Sequence, residues 1–189
     1  MTPIVSEPVL LTSGGLSVVL SRVADRFRHE VLITTAETRV MLTSLEGTDD
    51  QAWPPSPPFQ ELHTRQSSAG VDAVMLVGRA GRSHWSASIE LDRSQEAVLF
   101  DVACRSSGPI HWLGSSYQWL GNALAVSEEG QTVLGSSDFQ LDVLEGQAKV
   151  SDQGETHVLS IVPVWTVSSA SQTIRWRYRI RRPGARPAG

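Results

Sequence analysis

An all-β, single-domain antiparallel β-sandwich is the fold this sequence predicts, and three observations predict it. Short β-branched runs alternate with Gly, Ser, Asp and Pro clusters at spacings of about 8 to 15 residues, the rhythm of strands joined by tight turns. The stretch Ser83–Asp92, SHWSASIELD, keeps a period of two throughout, with Trp85, Ala87, Ile89 and Leu91 on one side and His84, Ser86, Ser88, Glu90 and Asp92 on the other. Helical periodicity is weak. Its best candidate, SVVLSRVADRFRHEV, repeats Val19, Val23 and Phe27 at four-residue spacing, but its valines suit a strand equally well, so one short helix is the alternative there.

In chain order, strands are expected over residues 7–12, 16–24, 27–35 and 39–46. The loop GTDDQAWPPSPPFQ follows, where the proline cluster between Pro54 and Pro58 removes ladder donors and favours an extended, polyproline-like path. A PxxP ligand can be read into that loop; the plainer reading is a loop crossing the sandwich edge. Further strands are expected over 61–66, 72–78, Ser83–Asp92, 96–105, 131–134, 139–144, 148–152, 156–164 and 173–182. Residues 1–182 are assigned to one domain, long enough for one sizeable core, and 183–189, RPGARPAG without its first Arg, to a flexible tail.

The formal net charge of −4 gives no global field that would recruit nucleic acid or an anionic membrane, and neither is expected as a partner. Lys149 is the single lysine beside fifteen arginines, a bias that points to a GC-rich, bacterial genome. With Cys104 as the single cysteine, no intramolecular disulfide can form. Neither a leader pattern nor a long apolar run is visible, so a cytoplasmic protein is expected. The five histidines, at 29, 63, 84, 111 and 157, contain no metal-ligand spacing, and no cofactor motif is found; neither metal nor cofactor is expected.

The central meander carries the candidate chemistry. If Arg93 and Ser94 form a two-residue loop, Ile89 faces Val98, Ala87 faces Phe100, Trp85 faces Val102 and Ser86 faces Asp101. His84 then faces Ala103 and lies diagonal to Asp101, roughly 7 Å away between backbones. With Ala80 and Gly81 as the preceding loop, Val77 faces His84 and Met75 faces Ser86. His84, Ser86 and Asp101 would form a polar group in apolar surroundings, with Asp101 orienting the His84 imidazole as a base or ligand contact. The alternative is that Asp101 accepts from Ser86 and from an arginine such as Arg79 or Arg105, and that His84 is a satisfied sheet histidine.

The segment IHWLGSSYQWLGN gathers His111, Trp112, Tyr117 and Trp119, the large planar side chains a sugar stacks on, although Tyr117 and Trp119 share a strand face and can equally fill the core. This aromatic and histidine content resembles that of the large β-sandwich sugar mutarotases; the chain is short for that fold and no catalytic motif corresponds residue by residue, so no residue role is carried over. In TIRWRYRIRR, Ile174, Trp176, Tyr178 and Ile180 alternate with Arg175, Arg177, Arg179 and Arg181, either a stripe for an acidic partner or a charge-paired edge facing Asp138 and Asp142.

The expected function is a binding or interaction module accepting a small polar ligand, a carbohydrate foremost, on a concave sheet face, through Ser86, His111, Trp112, Tyr117 and Trp119. Two alternatives stand beside it: a small sugar-converting enzyme of isomerase or mutarotase type using His84 and Asp101, and a structural or oligomerisation domain. A protein partner and a homo-oligomer are compatible with these readings.

Overall fold

The computed structural model describes residues 7–35, 39–120, 124–136, 139–153, 156–166 and 171–182. Within them the chain forms β1 (Val9–Ser13), β2 (Leu16–Val23), β3 (Arg26–Thr34), β4 (Arg39–Ser44), β5 (Phe59–Ser67), β6 (Gly70–Ala80), β7 (Ser83–Asp92) and β8 (Ala97–Ser106). There follow β9 (Ser115–Leu120), β10 (Ala125–Val126), β11 (Thr132–Ser136), β12 (Phe139–Glu145), β13 (Gln147–Gln153), β14 (Thr156–Val162) and β15 (Gln172–Arg181). The described residues contain no helix, and hence none long and apolar enough to cross a membrane.

These strands make an all-β antiparallel sandwich. One sheet has seven strands in the order β1-β2-β3-β4-β9-β14-β13, the other eight in the order β10-β11-β12-β15-β8-β7-β6-β5. The inward residues of alternating strands fill the space between the sheets: Leu16, Val18 and Leu20 from β2, Trp85, Ala87 and Ile89 from β7, Phe100 and Val102 from β8, and Trp176 and Tyr178 from β15. Burying such side chains contributes about 1.5 to 3 kcal/mol each, which is why period-two alternation dictates the faces.

The helical alternative over SVVLSRVADRFRHEV is overturned. That stretch is the β2–β3 hairpin, turning at Ala24 and Asp25 with Val23 opposite Arg26. Its buried apolar positions are Val18 and Leu20 on β2, continuing Leu16 at a spacing of two, and Val31 on β3; of the residues that suggested a helix, Val19 and Val23 lie on the outer face and Phe27 is half-buried. The proline-rich loop is folded into the body as a sheet-crossing segment. Pro54, Ser56, Pro57 and Pro58 are buried, and Ser56 Oγ both donates to the Ser116 carbonyl at 2.9 Å and accepts from the Ser116 amide at 3.0 Å. Its prolines are not presented to a recognition domain. The proposed tail, 183–189, lies outside the described residues.

The meander registers differ from the expected ones by two residues, and turn chemistry explains both shifts. Between β7 and β8 the loop is 93–96 rather than two residues: Asp92 Oδ1 accepts from the Ser94 hydroxyl at 2.6 Å and from the Ser94 and Gln95 amides at 3.0 and 3.1 Å, and Glu96 adopts φ +43°. This Asx-type turn needs the longer loop. Between β6 and β7 the loop is Gly81–Arg82, with Gly81 at φ +55° in the first position, where a type II′ turn places glycine. A shift of two keeps every residue on its expected face but changes its neighbours: Ile89 faces Phe100, Ala87 faces Val102 and Trp85 faces Cys104.

The strand TIRWRYRIRR lies between β12 and β8 in the middle of its sheet, and not at an edge. Its outward arginines are charge-paired. Arg179 Nη2 and Arg181 Nε converge on Asp142 Oδ2 at 2.8 and 3.0 Å, Arg177 Nη1 meets Glu145 Oε1 at 3.3 Å, and Arg175 Nε donates to Asp101 Oδ1 at 2.6 Å. Asp138 lies outside the described residues.

Candidate functional site

The outer face of the eight-stranded sheet holds the candidate site. Strand alternation sends Arg79 on β6, His84 and Ser86 on β7, Arg105 on β8 and Thr173 on β15 outward, and all are exposed. The observed register brings four of them into one row: Arg79 faces His84, His84 faces Arg105, and Arg105 faces Thr173. One position further along, Ser86 sits between Val77 and Ala103. A depression of about 560 Å³ lies over this corner, with Val77 and Ala103 as apolar floor and Glu61, Gln60 and Thr173 among its other walls.

The depression continues along the sheet. A smaller one of about 200 Å³ lies between Met75, Val77, Ser86, Ser88, Asp101 and Ala103, and a third of about 670 Å³ is walled by charged side chains such as Arg65, Glu90, Arg93 and Arg179. Met75 and Val77 keep 55% and 39% of their surface, an apolar exposure that a purely solvated sheet face does not need.

Asp101 is not beside His84. It faces Ser88, four residues along β8 from Arg105, which places it about 13 Å from the His84 position at strand rise. Arg175 holds its carboxylate, and Arg177 Nε stands 3.5 Å away. The expected His84–Asp101 contact therefore fails because the hairpin loop is two residues longer than assumed, and the arginine that neutralises Asp101 comes from β15 rather than from Arg79 or Arg105.

The aromatic segment divides. Tyr117 and Trp119 lie on β9 and point into the core, at 0% and 2% exposure, so neither ring offers a face to a ligand. Trp112 is half-buried and donates from Nε1 to the Pro55 carbonyl at 3.3 Å; His111 is exposed and packs edge-on against Trp53 with ring centres 6.4 Å apart. These two rings belong to the corner built by the proline-rich loop and line none of the depressions described above.

Inside the sandwich is a polar column that the sequence did not reveal. His29 Nε2 and the Tyr117 hydroxyl are 2.8 Å apart, and the Tyr117 hydroxyl is hydrogen-bonded to that of Tyr178, across from the other sheet. The His29 amide donates to Ser44 Oγ at 3.0 Å, and Ser44 Oγ donates to Glu46 Oε1 at 2.6 Å. Trp176 Nε1 donates to Ser115 Oγ at 3.0 Å, a second bridge between the sheets. Burial pushes the His29 imidazolium down to about 4, keeping the ring neutral, and pushes the Glu46 carboxyl up to about 7 against the opposing pull of Ser44, Arg26 and Arg28. Burial likewise raises both tyrosine hydroxyls. The column joins the two sheets and lies away from the outer-face depressions, so its geometry is that of a structural network.

Among the described residues no three or more His, Cys, Asp or Glu side chains come together as a metal site. No known protein family matches the chain, and no curated protein resembles it in sequence.

Proposed function

We propose that the chain is a non-catalytic binding module that takes a small polar ligand, with a carbohydrate as the leading class, in the depression over His84 and Ser86. The single observation that carries this reading is the depression itself. Its volume of about 560 Å³ lies within the usual range for small-molecule sites, roughly 300 to 1,000 Å³, and it combines an apolar floor at Val77 and Ala103 with convergent polar groups at Ser86, His84, Glu61 and Thr173. That mixture suits a hydroxylated ring, which carries apolar C–H faces and polar edges. The sugar-converting alternative has less support, because proton transfer needs an acid–base pair within hydrogen-bond reach and Asp101 is committed to Arg175.

Titrating ¹⁵N-labelled protein with glucose, glucuronate and glucose 6-phosphate tests the reading. A bound ligand is expected to shift the amides of Val77, His84, Ser86 and Ala103, and Ser86→Trp, which fills the depression from an exposed position, is expected to abolish those shifts without changing the melting temperature. Ligand shifts confined to other surfaces, or binding undiminished in Ser86→Trp, would overturn it.

A further inference from the structure

We infer that the ligand of this depression is anionic: a hydroxylated carbon skeleton carrying one carboxylate or phosphate, which Arg79 and Arg105 clamp over His84. The inference rests on the binding reading above and names the ligand's charge. It starts from the register. Arg79, His84 and Arg105 are directly opposed on three adjacent strands and share one face, with neighbouring backbones about 5 Å apart. The two guanidinium groups thus stand on either side of the imidazole, close enough to converge above it.

Arg79 and Arg105 stand two strands apart, about 10 Å between backbones, and like charges gathered on one sheet face repel, which carboxylates ordinarily relieve. That relief is present elsewhere on this same face, where Arg175, Arg177, Arg179 and Arg181 each meet Asp101, Asp142 or Glu145. Among the described residues the side chains of Arg79, His84 and Arg105 have neither an ion pair nor a hydrogen bond, although the protein as a whole is acidic. The charge left open at this corner is therefore local, and it coincides with a depression. Arginine is suited to the task, since its planar fork meets a carboxylate or phosphate through two parallel N–H donors.

Glu61 sets the ligand's size of charge. It is the one carboxylate among the residues walling this depression, and it stands opposite Val77 on β5. Two guanidinium groups less one carboxylate leave one net positive charge beside the imidazole, which a single anionic group balances. A carboxylate has no donor of its own, so Glu61 selects for hydroxyl groups on the same ligand, and Ser86 and Thr173 can give or take such bonds. A bare inorganic anion uses the arginines and leaves Glu61 facing like charge.

Calorimetric titrations at low ionic strength with four probes decide the matter: glucose, glucuronate, glucose 6-phosphate and inorganic phosphate. Glucuronate or glucose 6-phosphate is expected to bind at least about tenfold tighter than glucose, and the tighter of the two identifies the anionic group as carboxylate or phosphate. Arg79→Gln and Arg105→Gln are each expected to weaken that probe by about tenfold or more, and together to bring it to the level of glucose. Inorganic phosphate is expected to bind more weakly than glucose 6-phosphate, and Glu61→Gln to narrow that difference. If glucose binds as tightly as either anion and the double arginine variant changes nothing, while Ser86→Trp still abolishes binding, the anionic assignment is overturned and the depression remains the site. If no probe binds, or if binding survives Ser86→Trp, the binding reading falls and takes this inference with it.

Discussion

Two sets of polar side chains in this sandwich each gather residues from three strands and differ in almost everything else. Inside, His29, Tyr117 and Tyr178 run from one sheet to the other with their polar groups joined in a chain. Outside, Arg79, His84 and Arg105 lie in a row across β6, β7 and β8, their side chains without partners among the described residues. In the core an unmatched polar group is costly, so selection for folding alone explains why the partners are there. On the surface an unmatched arginine is cheap to hydrate, yet two arginines flanking a histidine in register gain nothing for the fold. The interior set is accounted for by stability; the exterior set asks for a ligand.

The largest effect expected from this contrast is on the interior. Tyr117→Phe keeps the ring and removes the hydroxyl between His29 Nε2 and the Tyr178 hydroxyl, so two buried polar groups lose a partner at once. The expected loss is about 3 kcal/mol, a fall in melting temperature of roughly 6 to 12 °C for a chain of this size. The same calorimetric scan on Arg79→Gln with Arg105→Gln is expected to show no loss. A Tyr117→Phe protein melting with the parent would mean that the column is not a structural network, and the contrast would dissolve.

The next effect is a dependence on pH. Glu46 has its folded value raised from 4.5 to about 7, so the stability it lends is full below about pH 4.5 and is lost as pH rises through about 7. His29 runs the other way: lowered from 6.5 to about 4, it lends stability that is full above about pH 6.5 and is lost as pH falls through about 4. Between these limits the two slopes oppose each other, and the parent is expected to change little from pH 5 to 6.5 in denaturant titrations. Glu46→Gln removes one slope. Relative to the parent, the variant is expected to gain stability between pH 5 and pH 8, on the order of 2 kcal/mol once the partial exposure of Glu46 is discounted. The lowered carboxyls of Asp25, Asp92 and Asp142 act below about pH 4 and leave this window undisturbed. A Glu46→Gln curve parallel to the parent's would show that the carboxyl is hydrated.

The outward and inward sides of β7, β8 and β15 were legible from alternation alone, because burial enforces a period of two and a shift of two preserves it. What alternation does not encode is how far one strand slides along the next. That is decided in the turns, by the Asp92 carboxylate drawing Ser94 and Gln95 into a longer loop and by Gly81 taking a positive φ. Reading Gly81 as the first loop residue would have aligned Arg79 with His84 from the sequence; the Asx turn at Asp92 carries a weaker signal. The interior column was beyond reach for a different reason. Its members come from positions 29, 44, 46, 117 and 178, and nothing local in any of those strands says which residues meet across the sandwich. For Tyr117 and Trp119 the sequence leaves core and ligand-facing positions both open, because an aromatic on a strand next to glycines reads alike whether the strand lies over a core or beside a groove, and the structure places both rings in the core.

The smallest perturbation tests the register on which the outer row depends. Cysteines at directly opposed outward positions have Cβ atoms about 4.5 to 5.5 Å apart, near the range of a disulfide, whereas diagonal positions are about 7 to 8 Å apart and cannot close without moving the backbone. His84→Cys with Arg105→Cys is therefore expected to crosslink under mild oxidation, and His84→Cys with Ala103→Cys to remain reduced. The native Cys104 need not be replaced: it is buried on the opposite face and burial pushes its thiol up to about 12, so it carries almost no thiolate at neutral pH. Both pairs replace solvent-facing side chains, so the melting temperature of the reduced forms should stay near the parent's and the readout is the bridge alone. Crosslinking at Ala103 in preference to Arg105 would restore the two-residue loop, return His84 to the neighbourhood of Asp101 and take Arg105 out of the row.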